Sequence, residues 1–397
     1  MKIKFYDENK QLLMFLPINC KVRIDFLYVK KEDLNMVPKV TQYFLSANSS
    51  QGFVSLFEDN LAVLDRVFLL KGGPGTGKST LMKKVGNHFL KLGFDIDFVY
   101  CSSDIQSLDA VIIPKLGAAI VDATAPHVLE PKVPGAVETY VNLGLALNRE
   151  RLLPQKEQIL ALKDTLAASY QNLYTHYRDA LDIHDDWEKI FIDQMDFDLA
   201  EIFKEKVCDE LVDFPPLDRP SRSSHRFFGA STPAGAFDFI ENITQNLEKR
   251  YFIKGRPGTG KSTLMKAIAE KGLSLGYDAH IYHCSFDPKS LDMVLFPQAG
   301  ICFFDSTAPH EYFPSKDTDQ ILDTYAAFVH PGTDEAHAVA IGAFAEAYGA
   351  KMKAGQKELS KAKEAHQQLE NIYVRATNFE IIEAFMKQII DEIQELI

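Results

Sequence analysis

Two short apolar runs, Arg66-Val67-Phe68-Leu69-Leu70 and Arg250-Tyr251-Phe252-Ile253, read as buried strands, and each leads into a glycine-rich stretch. A helical pattern opens at Ser79-Thr80-Leu81-Met82-Lys83 and, like its counterpart, runs to about Leu92 or Leu275. There Gly93 or Gly276 supplies a left-handed stop. A second strand ends at Cys101 or Cys284 and a short Pro-terminated segment follows. Then comes Gly117-Ala118-Ala119-Ile120-Val121-Asp122, or Gly300-Ile301-Cys302-Phe303-Phe304-Asp305. Strands alternating with helices predict an α/β chain of two tandem units, each a mostly parallel sheet flanked by helices.

From about Gln155 to Ile192 apolar residues recur at helical intervals: Ile159, Leu162, Leu166, Leu173, Tyr177, Ala180, Ile183, Trp187 and Ile190. Tyr348, Met352, Leu359, Ala362, Leu369 and Ile372 mark a second copy. Each unit therefore carries a long amphipathic helix after its aspartate-terminated strand. The stripe either packs on its own domain or forms a contact with the other repeat or with a partner protein.

The internal repeat governs the organisation. Lys78 and Lys261 stand 183 residues apart, and the same offset carries Cys101 to Cys284, Asp104 to Asp287, Asp109 to Asp292, Asp122 to Asp305 and Thr124-Ala125-Pro126-His127 to Thr307-Ala308-Pro309-His310. The expected domains are repeat 1 over 41–211, a Pro- and Ser-rich linker over 212–226, and repeat 2 over 227–397. Residues 1–40 have no counterpart in the second half. They are read as an N-terminal appendage, an upstream extension of a frame that would start at Met36, with a strand at Leu12-Leu13-Met14-Phe15-Leu16.

Composition narrows the partners. With 43 basic and 55 acidic residues the formal charge is −12, which disfavours nucleic acid. No apolar run approaches the roughly 20 residues that span a bilayer, so no membrane is expected. Five cysteines without a C-x-x-C pair point to a reducing cytoplasm. Nothing in the sequence sets the oligomeric state.

The chemistry lies in Gly72-Gly73-Pro74-Gly75-Thr76-Gly77-Lys78-Ser79 and Gly255-Arg256-Pro257-Gly258-Thr259-Gly260-Lys261-Ser262, both of the form G-x-x-x-x-G-K-[ST]. Such a P-loop turns backbone N–H groups toward phosphate oxygens and adds the positive end of a helix. Gly73 to Thr80 and Arg256 to Thr263 are therefore the candidate nucleotide contacts, with Lys78 and Lys261 on the β- and γ-phosphates. Ser79 with Asp122, and Ser262 with Asp305, are the candidate magnesium ligands, although a strand-end aspartate is also a favoured helix cap.

Ala123 and Ser306 occupy the position where motor-type ATPases place a glutamate. Asp104 and Asp287 are the candidate proton acceptors instead, with His127 and His310 as alternates. The competing roles are capping a helix start at Ser107-Leu108-Asp109 or Ser290-Leu291-Asp292, and a structural Ala-Pro-His turn. Arg256 replaces Gly73 in the second loop and either contacts nucleotide, reaches the other repeat or is solvated. Arg222 and Arg226 are weaker candidates of that kind.

The two loops, the segment from Asp122 to Val137, the start Arg226-Phe227-Phe228-Gly229-Ala230 and the run from Tyr251 to Thr263 together resemble an uncharacterised bacterial family of tandem P-loop ATPases, from about residue 41 to the end. That resemblance implies a cytoplasmic P-loop nucleoside-triphosphatase fold. The second copy lacks the Pro-Gly-Ala-Val segment after its histidine, so its site is expected to be less complete. The expected function is magnesium-dependent ATP binding and hydrolysis coupled to rearrangement of the two repeats. The alternatives are a small-molecule or nucleotide kinase using a strand-end aspartate as base, and a non-catalytic nucleotide sensor.

Overall fold

The computed structural model describes residues 37–397, together with the strands Phe5–Tyr6 and Leu12–Leu13. Met1–Lys39 forms one unit and Val40–Ile397 the other. The described part of the first unit is an antiparallel pair, Phe5 opposite Leu13 and Tyr6 opposite Leu12. Residues 1–4, 7–11 and 14–36 lie outside the described residues, so the strand expected over 12–16 is seen only at Leu12–Leu13, and Val40, at the end of the expected appendage, opens the strand Val40–Phe44.

In the second unit the apolar runs become central strands because both of their faces are covered. Arg66–Lys71 and Lys249–Lys254 each bury their four inner residues. The first six-stranded sheet runs Glu138–Asn142, Arg66–Lys71, Ala118–Asp122, Asp104–Ile113, Ile96–Cys101, Val40–Phe44. The second repeats that topology as Gln320–Asp323, Lys249–Lys254, Ile301–Asp305, Leu291–Phe296, Ala279–His283, Ser223–Arg226.

Both sheets are mixed but mostly parallel, as expected, with a single strand in each running against the rest. Asp104–Ile113 and Leu291–Phe296 run antiparallel to both of their neighbours. Connection length is the reason. Only Ser102 and Ser103 separate Cys101 from Asp104, a hairpin turn, whereas a parallel crossover needs a dozen residues or more. Ser107-Leu108-Asp109 is accordingly strand and not the start of a helix.

Alternate residues of each sheet face opposite ways, and the two faces meet different partners. Phe68, Leu70, Val111, Ile113 and Ile120 pack on Leu81, Met82, Val85 and Phe89 of the helix Lys78–Lys91, and also on Ile382, Ile389 and Ile393 of the helix Phe379–Gln394. That last helix belongs to repeat 2. Reciprocally, Val207 of the repeat 1 helix Phe197–Leu211 packs with Tyr251, Ile253, Leu264, Met265 and Phe303 of repeat 2. The repeats have exchanged their terminal helices. The opposite faces of the two sheets line a single core, in which Val67, Leu69 and Val121 join Phe252, Met293 and Phe304. Phe44 and Phe227, equivalent positions of the repeat, bond to each other through both backbone N–H groups at 2.9 Å.

The long helices are Lys156–Ile192 and Ala338–Ala376. They pack antiparallel: Leu173 and Tyr177 meet Leu359, Asp179 accepts from Lys351 at 2.7 Å, and the His184 ring lies tilted against Tyr348, centroids 5.8 Å apart. The apolar stripe is thus a contact between repeats. A Cβ on Gly355 would lie 2.4 Å from the buried Tyr177 ring, so a small residue is required where the helices cross. No helix among the described residues is long and apolar enough to cross a membrane.

Candidate functional site

Each glycine-rich loop joins the carboxyl end of a central strand to the start of a helix. Gly75 and Gly77 have φ of +70° and +86°, and Gly258 and Gly260 of +75° and +73°, a region that side chains strain to adopt. Thr76 Oγ1 donates to Gly73 O at 2.8 Å, and Thr259 Oγ1 donates to Arg256 O at 2.8 Å, bracing both loops alike. Lys78 Nζ donates to Gly72 O at 2.9 Å and Gly73 O at 3.0 Å, while Lys261 Nζ donates to Arg256 O at 2.8 Å.

The loop strand and the aspartate strand are neighbours, in register as Leu70 with Asp122 and Ile253 with Asp305. Lys78 Nζ consequently stands 3.5 Å from Asp122 Oδ2, and Lys261 Nζ 3.7 Å from Asp305 Oδ2. Asp122 Oδ1 accepts from Thr124 N at 2.9 Å and Thr124 Oγ1 at 2.5 Å, and Asp305 accepts from Thr307 at 3.0 and 2.6 Å. Ser79 Oγ accepts from Leu108 N at 3.0 Å, and Ser262 Oγ from Leu291 N at 2.9 Å. Thr80 and Thr263 are exposed one residue further on. A hydroxyl and a carboxylate per site are hard oxygen donors, which suits magnesium.

Asp104 and Asp287 are held as turn-closing carboxylates. Asp104 accepts from Ser107 Oγ at 2.8 Å and from Lys363 Nζ of the other repeat at 3.2 Å. Burial works to raise its pKa, yet those donors outweigh it and leave the carboxyl below its ordinary value. Asp287 accepts from Ser290 Oγ at 2.7 Å and from Gln51 Nε2 at 3.4 Å.

The sequence reading passed over Asp109 and Asp292 as site residues. One step beyond the strand pairs Ala110 with Val121 and Met293 with Phe304, they stand opposite Asp122 and Asp305. An acidic residue kept in register within an apolar run was the available signal. Asp109 is buried and pairs with the buried His127, Nε2 to Oδ2 at 3.1 Å. Burial depresses the His127 pKa, but Asp109 overcomes it and the net shift is upward. The ligand atoms of Cys101, Asp109 and His127 all lie within 4.8 Å of one another.

Repeat 2 is built differently. His310 Nδ1 bonds Asp238 Oδ2 at 2.7 Å and Tyr312 donates to Asp238 Oδ1 at 2.7 Å, where repeat 1 has Ser55 at the corresponding position. Among the described residues Asp292 has no close ion pair with an imidazole of the kind Asp109 has, and His310 acts on it only from a distance. Burial, and then the Asp305 carboxylate, push it up to about 7. It therefore binds more protons folded than unfolded between about pH 4 and about pH 7, and stability falls as pH rises through that window. In buffer free of magnesium and nucleotide, Asp292→Asn is expected to gain stability over the wild type across those values. Denaturation midpoints would show it; parallel curves would mean that the carboxyl does not titrate there.

The arginines are placed structurally. Arg256 forks onto Asp334 of its own repeat at 2.8 and 3.1 Å rather than reaching the other. Arg226 does reach the other repeat, as a buried cation over the Tyr43 ring and 4.0 Å from Asp97. The backbone N–H of Arg222 donates to Asp278 at 2.8 Å.

No family model matches the chain, and no curated protein and no solved structure matches it either.

Proposed function

We infer that this protein is a tandem P-loop ATPase, binding ATP with magnesium at two loops and using hydrolysis to shift its repeats against one another. What carries the reading is a constellation present twice: a left-handed glycine loop at a helix start, with its lysine beside an aspartate on the adjacent strand. Lys78 and Lys261 would pair with the phosphate tail. Ser79 with Asp122, and Ser262 with Asp305, would hold the magnesium ion, which neutralises phosphate charge when bound. Catalysis here would rest on positioning and charge neutralisation more than on a strong base, since the pKa of Asp104 is lowered.

Support for coupling comes from the exchanged helices. Each loop lies against the long helix of the other repeat, Gly75 on Glu370 and Gly258 on Glu188. A change of loop shape on turnover would reach the partner repeat directly. The free cysteines among the described residues suit a cytoplasmic setting.

The test is purified protein with γ-labelled ATP and magnesium, with and without a metabolite extract. Phosphate release without acceptor is the expected result. Label transferred to a metabolite would replace this reading with a kinase, saturable binding without turnover with a sensor, and no binding would end it.

A further inference from the structure

The second loop already holds an anion supplied by the protein. Glu188, on the long helix of repeat 1, accepts a hydrogen bond at its Oε1 from the Gly258 backbone N–H at 3.1 Å. Gly258 sits in the middle of the loop, and loop N–H groups are what a P-loop offers to phosphate oxygens. The helix is tight against it: a Cβ on Gly258 would lie 2.7 Å from Glu188 O. His184, one turn earlier, has Nδ1 3.6 Å from the same Oε1.

The first loop shows the same packing without the same bond. Glu370 is the equivalent residue and its carbonyl lies 2.6 Å from where a Gly75 Cβ would be. Its carboxylate contact is to His366 Nδ1 at 3.8 Å. Tyr373 and Val374, beside it, cover the outside of the loop.

We propose that Glu188 is an internal competitor for the second loop, occupying an amide that a triphosphate needs, so that nucleotide enters there only when the repeat 1 helix yields. This rests on the nucleotide reading above. A carboxylate and a phosphate are both acceptors with negative charge, and two such anions cannot share one N–H. Filling loop 2 then displaces the Glu188 carboxylate from the loop, which makes the occupancy of one repeat legible to the other.

The experiment is calorimetric titration of the full chain with magnesium and AMP-PNP, on a Lys78→Ala background so that only loop 2 is read. Glu188→Gln keeps the shape and removes the charge; Glu188→Ala removes both. Glu188→Ala should tighten binding about tenfold, as expected for losing a charge-assisted hydrogen bond, and Glu188→Gln, whose amide oxygen still accepts, by a smaller factor, whereas Glu370→Gln should leave it unchanged. Unchanged or weaker binding in both Glu188 variants would overturn the proposal. If neither the wild type nor any variant binds AMP-PNP, the nucleotide reading falls as well; binding that ignores Glu188 removes the competitor alone.

Discussion

Lys78→Ala is expected to lower steady-state phosphate release from ATP by about 100-fold or more, and Lys261→Ala by less than threefold. Removing one preorganised positive group from a phosphoryl-transfer site commonly costs about 3 kcal/mol in the transition state, or two orders of magnitude. The two lysines make the same contacts in kind, so the difference must come from their surroundings. Around loop 1 the buried Asp109 is balanced by His127. Around loop 2 His310 bonds Asp238 instead, and Asp292 and Asp305 are left as opposed carboxyls. Glu188 adds a negative charge to that loop. Turnover should therefore run mainly through repeat 1. Equal losses in the two variants, measured at saturating magnesium and ATP, would show that these differences do not matter to the chemistry.

Gly258→Ala should destabilise the folded chain by about 3 kcal/mol, well beyond the cost of its backbone conformation alone. A non-glycine residue at φ +75° costs roughly 1–2 kcal/mol. The remainder comes from Glu188, whose carbonyl oxygen would lie 2.7 Å and Cα 3.1 Å from the new methyl. Both atoms belong to a helix backbone, which cannot rotate aside as a side chain would. Gly135→Ala isolates the conformational part, because Gly135 has φ +82° and open space where a Cβ would go. Denaturant unfolding of the two variants should differ by about 1.5 kcal/mol or more, within the range of steric core effects. If they are equally destabilised, the long helix lifts from the loop at no cost and the contact couples nothing.

Much of this architecture is local and was readable from residue order. The strands around Arg66 and Arg250, the helices opened by Lys78 and Lys261, the glycine stops at 93 and 276 and the helix over Lys156–Ile192 follow from periodicity and from glycine's freedom at positive φ. The antiparallel strand Asp104–Ile113 was missed because an acidic, serine-containing start resembles a helix cap. The two-residue turn before it decided otherwise. Asp109 escaped notice as a site residue because strand pairing, not sequence distance, sets it opposite Asp122.

The sequence by itself determined that there are two copies, that each carries a glycine loop, a lysine and a strand-end aspartate, and that long helices would bury an apolar stripe. Only the tertiary structure decided against what that stripe is buried. Two related repeats offer each helix two similar surfaces, and an amphipathic pattern records that a face needs cover without recording whose. The packing sends Phe379–Gln394 to the first core and Phe197–Leu211 to the second, and so sets Glu188 of one repeat on the loop of the other.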